Sequence, residues 1–189
     1  MDDILVYAIG YASIARFVGS IFKESNVTGF DIDSDVVAYH EGRWHGFGSV
    51  QYTAKPPSGK FDVVFGLAAL GAQPDVRAAE MVGFLKPGGI VGVLDYDMRG
   101  MDESDFLRRW GWQGPEKQEL QELGPRKSWE LHTVTSIGTV REIMAGLGIV
   151  ELVAEGGLAQ RWPPNIKNPT IHLLYVGKKP FCEPMPEYC

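Results

Sequence analysis

The chain has 189 residues, of which 44% are hydrophobic and 22% charged, values that suit one globular domain with a buried core. Its formal net charge of −6 argues against a surface built to neutralise phosphates, and so against a nucleic acid as main partner. The acidic start Met1-Asp2-Asp3 does not fit a secretory signal, and no apolar run approaches the ~20 residues of a membrane span. The expectation is a cytoplasmic protein with no membrane partner.

Ile4 to Ala8 is a short apolar run ending at Gly10, which reads as a buried strand and a turn. Ile14, Phe17, Val18 and Ile21 then recur at helical spacing, with Ser13 available as a cap. Val27 to Ile32 is strand-like, Ser34 opens a short helix through Val37 and Ala38, and Ser49 to Thr53 alternates as a third strand. The turn Pro56-Pro-Ser-Gly59 leads straight into Phe61-Asp-Val-Val-Phe65, a fourth strand, so the crossover helix between strands three and four is missing or reduced to a loop. Asp75 to Leu85 forms a helix with Val76, Ala79, Val82 and Phe84 as its apolar positions, and Lys86-Pro-Gly-Gly89 stops it before a fifth strand, Ile90 to Leu94.

From Asp97 to about Thr135 the pattern changes to short helices, Ser104 to Trp110 and Glu116 to Leu123, broken by glycines. Ile137 to Leu147 is an amphipathic helix capped by Ser136. Two strands follow, Ile149 to Ala154 and Ile171 to Val176; with nothing helical between them they pair as an antiparallel hairpin. Strands alternating with helices imply an α/β domain with a parallel sheet and right-handed crossovers. Residues 1–180 make a single domain, 98–135 an insert within it, and 181–189 a tail holding both cysteines, Cys182 and Cys189. Two cysteines without a paired Cys/His cluster make no zinc site; they read as free thiols, with a short-loop disulfide as the alternative.

Three features in this order resemble class I S-adenosylmethionine (SAM) dependent methyltransferases. They are the glycine turn after strand one, Gly29-Phe-Asp-Ile-Asp33 after strand two, and Phe61-Asp-Val-Val with Leu85-Lys-Pro-Gly-Gly89 around strands four and five. The resemblance spans nearly the whole chain, and the terminal hairpin fits a family that closes its sheet with a reversed strand. It implies a doubly wound, mostly parallel seven-stranded sheet in the order 3-2-1-4-5-7-6, SAM as cofactor and a small molecule as methyl acceptor.

By the same resemblance the family's turn, acid-x-Gly-x-Gly-x-Gly, aligns with Val6-Tyr7-Ala8-Ile9-Gly10-Tyr11-Ala12, which keeps one glycine and lacks the acid. Ala8, Gly10 and Tyr11 would meet the methionine part of the cofactor, Asp31 both ribose hydroxyls, Ile32 the adenine face and Thr53 its amine edge, with Gly66 and Leu67 lining the far side. Asp33 is the better helix cap. The insert carries Trp110, Trp112 and Trp129, candidates for a cover over the acceptor, with Trp162 completing the wall and His132 as a base. Asp95 and Asp97 end strand five, but Gly66-Leu67-Ala68 offers no further oxygen ligand, so no metal is expected. Two other readings accompany the enzyme. One is a non-catalytic binding module of the same fold. The other, a nicotinamide-dependent oxidoreductase, is disfavoured because Ala8-Ile-Gly-Tyr-Ala-Ser13 fails two glycines of Gly-x-Gly-x-x-Gly.

Overall fold

The structure, a computed structural model, describes residues 2–11, 13–43, 50–71, 73–96, 135–160 and 170–181, with the single positions 104, 122, 124, 126, 127 and 130. The elements run β1 (Asp3–Tyr7), α1 (Ile14–Ile21), β2 (Asn26–Phe30), α2 (Ser34–Arg43), β3 (Val50–Thr53), β4 (Phe61–Leu67), α3 (Pro74–Gly83) and β5 (Leu85–Tyr96). After the segment 97–134 come α4 (Ile137–Gly146), β6 (Val150–Gln160) and β7 (Thr170–Lys178). The seven strands form one sheet in the order β3-β2-β1-β4-β5-β7-β6, the order that the resemblance implied. Strands β1 to β5 pair in parallel, and β7 runs antiparallel to both β5 and β6.

Alternation along each strand sends side chains to two cores. On one face Leu5, Tyr7, Val64, Val91, Val93, Leu173 and Tyr175 pack with Ala78 and Met81 of α3 and Val140 and Met144 of α4. On the other, Ile4, Val6 and Val27 pack with Ala15 of α1 and Val36 of α2. Helix α4 starts at the expected cap, where Ser136 Oγ accepts from Thr139 N at 3.1 Å. Helix α2 starts at Asp33, whose Oδ1 accepts from Asp35 N at 2.8 Å, the capping role expected of it.

In two helices only part of the expected apolar set faces the sheet: Ile14 and Val18, and Val82 and Phe84, pack against the cores, while the others turn outward. In α1 the buried positions are Ala15 and Gly19, while Phe17 is 60% exposed. A Cβ on Gly19 would come within 2.7 Å of Val50 Cγ2, so this glycine lets the helix lie close on β3. In α3 the buried set is Pro74, Ala78, Met81 and Val82, and Val76 and Ala79 are exposed. Ser13, although it precedes α1, makes no side-chain capping bond.

No helix joins β3 to β4; residues 54–60 cross directly. On the α3 side of the sheet Leu5, Thr28 and Gln51 stand abreast, as do Tyr7, Phe30 and Thr53. Thr28 and Thr53 are half-buried and Gln51 exposed, so polar residues face the side that such a helix would cover.

The Lys86-Pro87-Gly88-Gly89 segment lies inside β5 instead of ahead of it. The register jumps from Phe61↔Leu85 to Val63↔Ile90, so the segment bulges out of the ladder. Gly88 has φ +78° and donates to the carbonyls of Lys179 (3.0 Å) and Pro180 (3.2 Å). Lys86 Nζ reaches Asp3 Oδ2 and Asp62 Oδ2, each at 2.9 Å. The Asn26 amide and the Lys86 ammonium together hold the Asp3 carboxyl below the usual carboxylate range. The motif therefore ties the segment after β7, β1 and β4 together at the edge of the sheet opposite the candidate site.

Candidate functional site

Ligands of open parallel sheets bind beyond the carboxyl ends of the strands, beside the strand at which the order reverses. Here that strand is β1. Past its end, Ala8 takes φ +53° and Gly10 φ +48°. Past β4, Ala68 takes φ +51°. Ala8 and Ala68 are the positive-φ residues other than glycine among those described, and both flank the same edge. Each costs about 1–2 kcal/mol relative to relaxed backbone, strain of the kind that collects at functional sites.

The first turn is pinned from several sides. Ile9 N donates to Phe30 O at 3.2 Å. Gly10 N donates to Asp31 Oδ2 at 2.9 Å, and Asp31 Oδ1 accepts from Asp33 N at 3.0 Å. Each carboxylate oxygen thus holds one backbone N–H and keeps lone-pair capacity for another donor. From below, His40 Nε2 lies 2.7 Å from Gly10 O. The carbonyl can only accept, so His40 is the Nε2–H tautomer. This histidine is 1% exposed and stacks on Tyr52 with ring centroids 5.1 Å apart.

Above this turn lies a cavity of about 340 Å³, within the size range of small-molecule sites. It is lined from the end of β1 by Tyr7 and Ala8, from the end of β2 by Phe30, Asp31 and Ile32, and from α3 by Arg77 and Glu80, with Pro56, Ala69 and Phe84 completing it. Ile32 is 74% exposed, an unusual state for an isoleucine beside a cavity. Tyr7 donates its hydroxyl proton to Glu80 Oε2, and Arg77 Nη1 donates to the same oxygen at 3.0 Å and to the phenol at 3.3 Å. Burial and the Glu80 carboxylate push the Tyr7 phenol up to about 12, so it stays a donor at neutral pH.

Of the expected cofactor residues, the structure brings Ala8, Asp31 and Ile32 together in this cavity. Gly10 lies behind them, bonded to Asp31. Tyr11 turns outward, edge-on to Tyr39 at 5.1 Å, and leaves the cavity open. Thr53 folds back on its own turn, donating to Lys55 O (3.0 Å) and accepting from Lys55 N (3.1 Å). Gly66 is buried, and a Cβ there would meet Ala69 Cβ at 2.8 Å and Met81 Cε at 3.0 Å; its smallness lets the loop after β4 close onto α3. Leu67 is half-buried opposite Leu94. His132, Trp110, Trp112, Trp129 and Trp162 lie outside the described residues, as do Ala12, Asp97, Cys182 and Cys189.

Asp95 is buried, and its Oδ2 accepts from Leu70 N at 2.9 Å; with Ala68 N donating to Leu94 O at 2.8 Å, this fastens the loop after β4 to β5. Among the described residues no three His, Cys, Asp or Glu side chains converge as a metal group would require. His172 sits on β7 opposite Tyr96, at the same end of the sheet. Its ring N–H donates to the Asp95 carbonyl, its Nε2 has no hydrogen-bond partner, and burial pushes its pKa below the ordinary histidine value.

Sequence reasoning missed His40, Tyr7, Arg77 and Glu80. His40 follows Val36 and Val37 at helical spacing, which marked it as an inward position, and Tyr7 shares the strand period of Leu5. Arg77 and Glu80 carried no comparable signal.

No protein family profile matches the chain, and no curated protein matches it in sequence. Solved structures match its fold. A SAM-dependent methyltransferase from Methanosarcina mazei is similar at TM-score 0.66 and 15% identity, over 96% of this chain and 93% of that one. The N-methyltransferase NodS from Bradyrhizobium japonicum is similar at TM-score 0.58 and 16% identity, over 94% and 85% of the two chains. Magnesium protoporphyrin IX methyltransferase from Synechocystis, solved with bound S-adenosylhomocysteine (SAH), is similar at TM-score 0.62 and 10% identity, over 93% and 73%. The chain has the fold of the class I SAM-dependent methyltransferases.

Proposed function

We propose that the protein is a SAM-dependent methyltransferase acting on a small-molecule acceptor. The observation that carries this reading is the Asp31 carboxylate, which directly follows β2, lines the cavity and retains acceptor capacity toward a ribose. The left-handed Ala8 adds support: the backbone keeps at this position the conformation that glycine normally supplies, at an energetic cost that a bare turn would not require. Residues fit for the cofactor are Asp31 for the ribose, Ile32 for a face of the base, and the turn at Ala8–Gly10 with the start of α1 for a carboxylate.

SAM supplies a methyl group on a positively charged sulfur that departs as a neutral thioether. Transfer of that group to an acceptor lone pair is an in-line displacement, so the chain's own work is alignment and exclusion of water. The pinning of the first turn by Asp31 and His40, and of the loop after β4 by Asp95, serves the alignment. A general base is needed only where the acceptor must lose a proton. For the acceptor side we retain Trp110, Trp129 and Trp162 as the wall and His132 as the base. The magnesium protoporphyrin IX methyltransferase, of this fold, is named for a small-molecule acceptor, which favours an acceptor of that class.

A second reading, a non-catalytic binding module, draws on the same residue: the Ala8 methyl projects where the family has a hydrogen. Calorimetric titration of SAM and SAH separates the two. Micromolar binding is expected, with Asp31→Ala losing about 1.5–3 kcal/mol, the scale of hydrogen bonds to a charged group. Absence of heat and of any thermal shift at millimolar ligand rules out the enzyme.

A further inference from the structure

The two faces of the sheet are covered unequally at β4, β5, β7 and β6. Toward α3 and α4, Val91, Val93, Leu173 and Tyr175 are at most 1% exposed. Toward α1, Phe65, Gly92, Val176 and Val153 stand abreast across the same four strands, and Phe65 packs on the core beneath α1. The described helices on this side, α1 and α2, pack over β2 and β3. Val153 is 40% exposed; in the neighbouring row Ile90 is 36% and Val150 57% exposed. Three such rows carry two charged side chains, Lys178 and Glu155, one in each outer row, where the rim of an interface tolerates charge. Monomeric proteins rarely expose a contiguous apolar surface of this extent.

Helix α1 walls this floor on one side. Its Gly19 faces β3, and Phe17 and Ile21, each about 160° from Gly19 around the helix, turn away from β3 toward β4 and are exposed. On the other side the floor ends at β6, the edge strand, where Leu152 sits in a bulge and is exposed. We propose that this face is the interface of a homodimer, with the second copy turned about an axis along the strands. A helix is about 10 Å thick, and stacked sheets lie about 10 Å apart. The two floors therefore stack while each α1 lies beside the other copy's β6 edge, which sets Phe17 and Ile21 of one copy against Val150 and Leu152 of the other. A covering helix is one of the ways in which an edge strand is protected from open-ended pairing. Four strands ~4.8 Å apart, three rows of side chains and the flank of α1 offer about 600 Å² per copy. The pair would bury about 1,200 Å², the lower end of stable specific interfaces. Twofold homodimers are also the commonest soluble oligomers. The cavity at Asp31 lies toward α3, on the other face, so the inference does not depend on the cofactor reading.

Sedimentation equilibrium of the full chain across a concentration series is the test. Wild type should sediment at twice its monomer mass of 20.9 kDa in the micromolar range. Val153→Lys places a charge in the middle row and should raise the dimer dissociation constant about tenfold or more. Phe17→Glu, on the flank of α1, should weaken the dimer in the same direction, and it carries the test if Val153→Lys does not fold. Val76→Lys, exposed on α3 at the other face, is the control and should leave the constant unchanged. Thermal melts of the variants separate lost association from lost structure. A wild type that stays monomeric at hundreds of micromolar overturns the proposal and leaves the face to another protein or to a segment of this chain outside the described residues. A dimer whose constant neither Val153→Lys nor Phe17→Glu changes overturns it as well, because the contact then lies elsewhere.

Discussion

Ala8 stands at φ +53° in the turn between β1 and α1 and lines the cavity. For an L-residue the left-handed region costs about 1–2 kcal/mol, which glycine does not incur. Glycine in turn has about 0.5–1 kcal/mol more backbone entropy to lose on folding. The difference predicts that Ala8→Gly stabilises the protein by about 0.5–1 kcal/mol, or about 1–4 °C in melting temperature for a chain of this size. Urea denaturation with a constant m-value is the assay. Ala79→Gly, on the exposed face of α3, is the control and should cost about 1 kcal/mol. The same alanine-to-glycine change is thus expected to have opposite signs at the two positions. Because it also removes a methyl group from the cavity lining, Ala8→Gly should bind SAH at least as tightly as wild type. Destabilisation at Ala8 comparable with that at Ala79 would refute the left-handed turn.

Gly88→Ala should cost about 1–2 kcal/mol from its φ of +78°. A Cβ there would fall 2.3 Å from the ring of Phe181, but that side chain is 72% exposed and able to swing aside. The cost should therefore be the same in a Phe181→Ala background, and a cost that disappears there would mean that contact, not backbone, sets it. His172, its pKa lowered by burial, takes up a proton at lower pH than in the unfolded chain. Stability should therefore fall as pH drops through about 6.5 and level off once the folded state also binds the proton. His172→Gln should flatten that part of the pH–stability curve, and an unchanged curve would show that His172 does not cause it.

The strands were legible as compact apolar runs, and the antiparallel pairing of the last two because no helix lies between them; their order in the sheet came from the resemblance alone. The absent β3–β4 helix was legible too, since Pro56-Pro-Ser-Gly59 leaves too few residues for one. The inward faces of α1 and α3 were legible only in part, at Ile14, Val18, Val82 and Phe84. Periodicity weighs large side chains such as Phe17 and Val76, whereas close approach to the sheet selects small ones, Ala15, Gly19 and Ala78. Lys-Pro-Gly-Gly announced a boundary correctly, but its role as a bulge fastened to Lys179 and Pro180 depends on a partner strand distant in sequence.

At the site, Asp31 was readable from its place after β2, and the structure puts it beside Ala8 and Ile32. The part that Tyr7, Arg77 and Glu80 take in lining the cavity was not readable. Tyr7 and Glu80 are 73 residues apart and meet only because β1 and α3 share a face of the sheet. Nor does a lone alanine in a turn reveal its φ, so the strain at Ala8 was invisible until the backbone was traced.

The most direct test of the central claim is a crystal structure of the protein grown with SAH. The Asp31 carboxylate is expected within hydrogen-bond distance of both ribose hydroxyls, with the base against Ile32. Ligand bound elsewhere, or an Asp31 carboxylate making only its two backbone contacts, would contradict it.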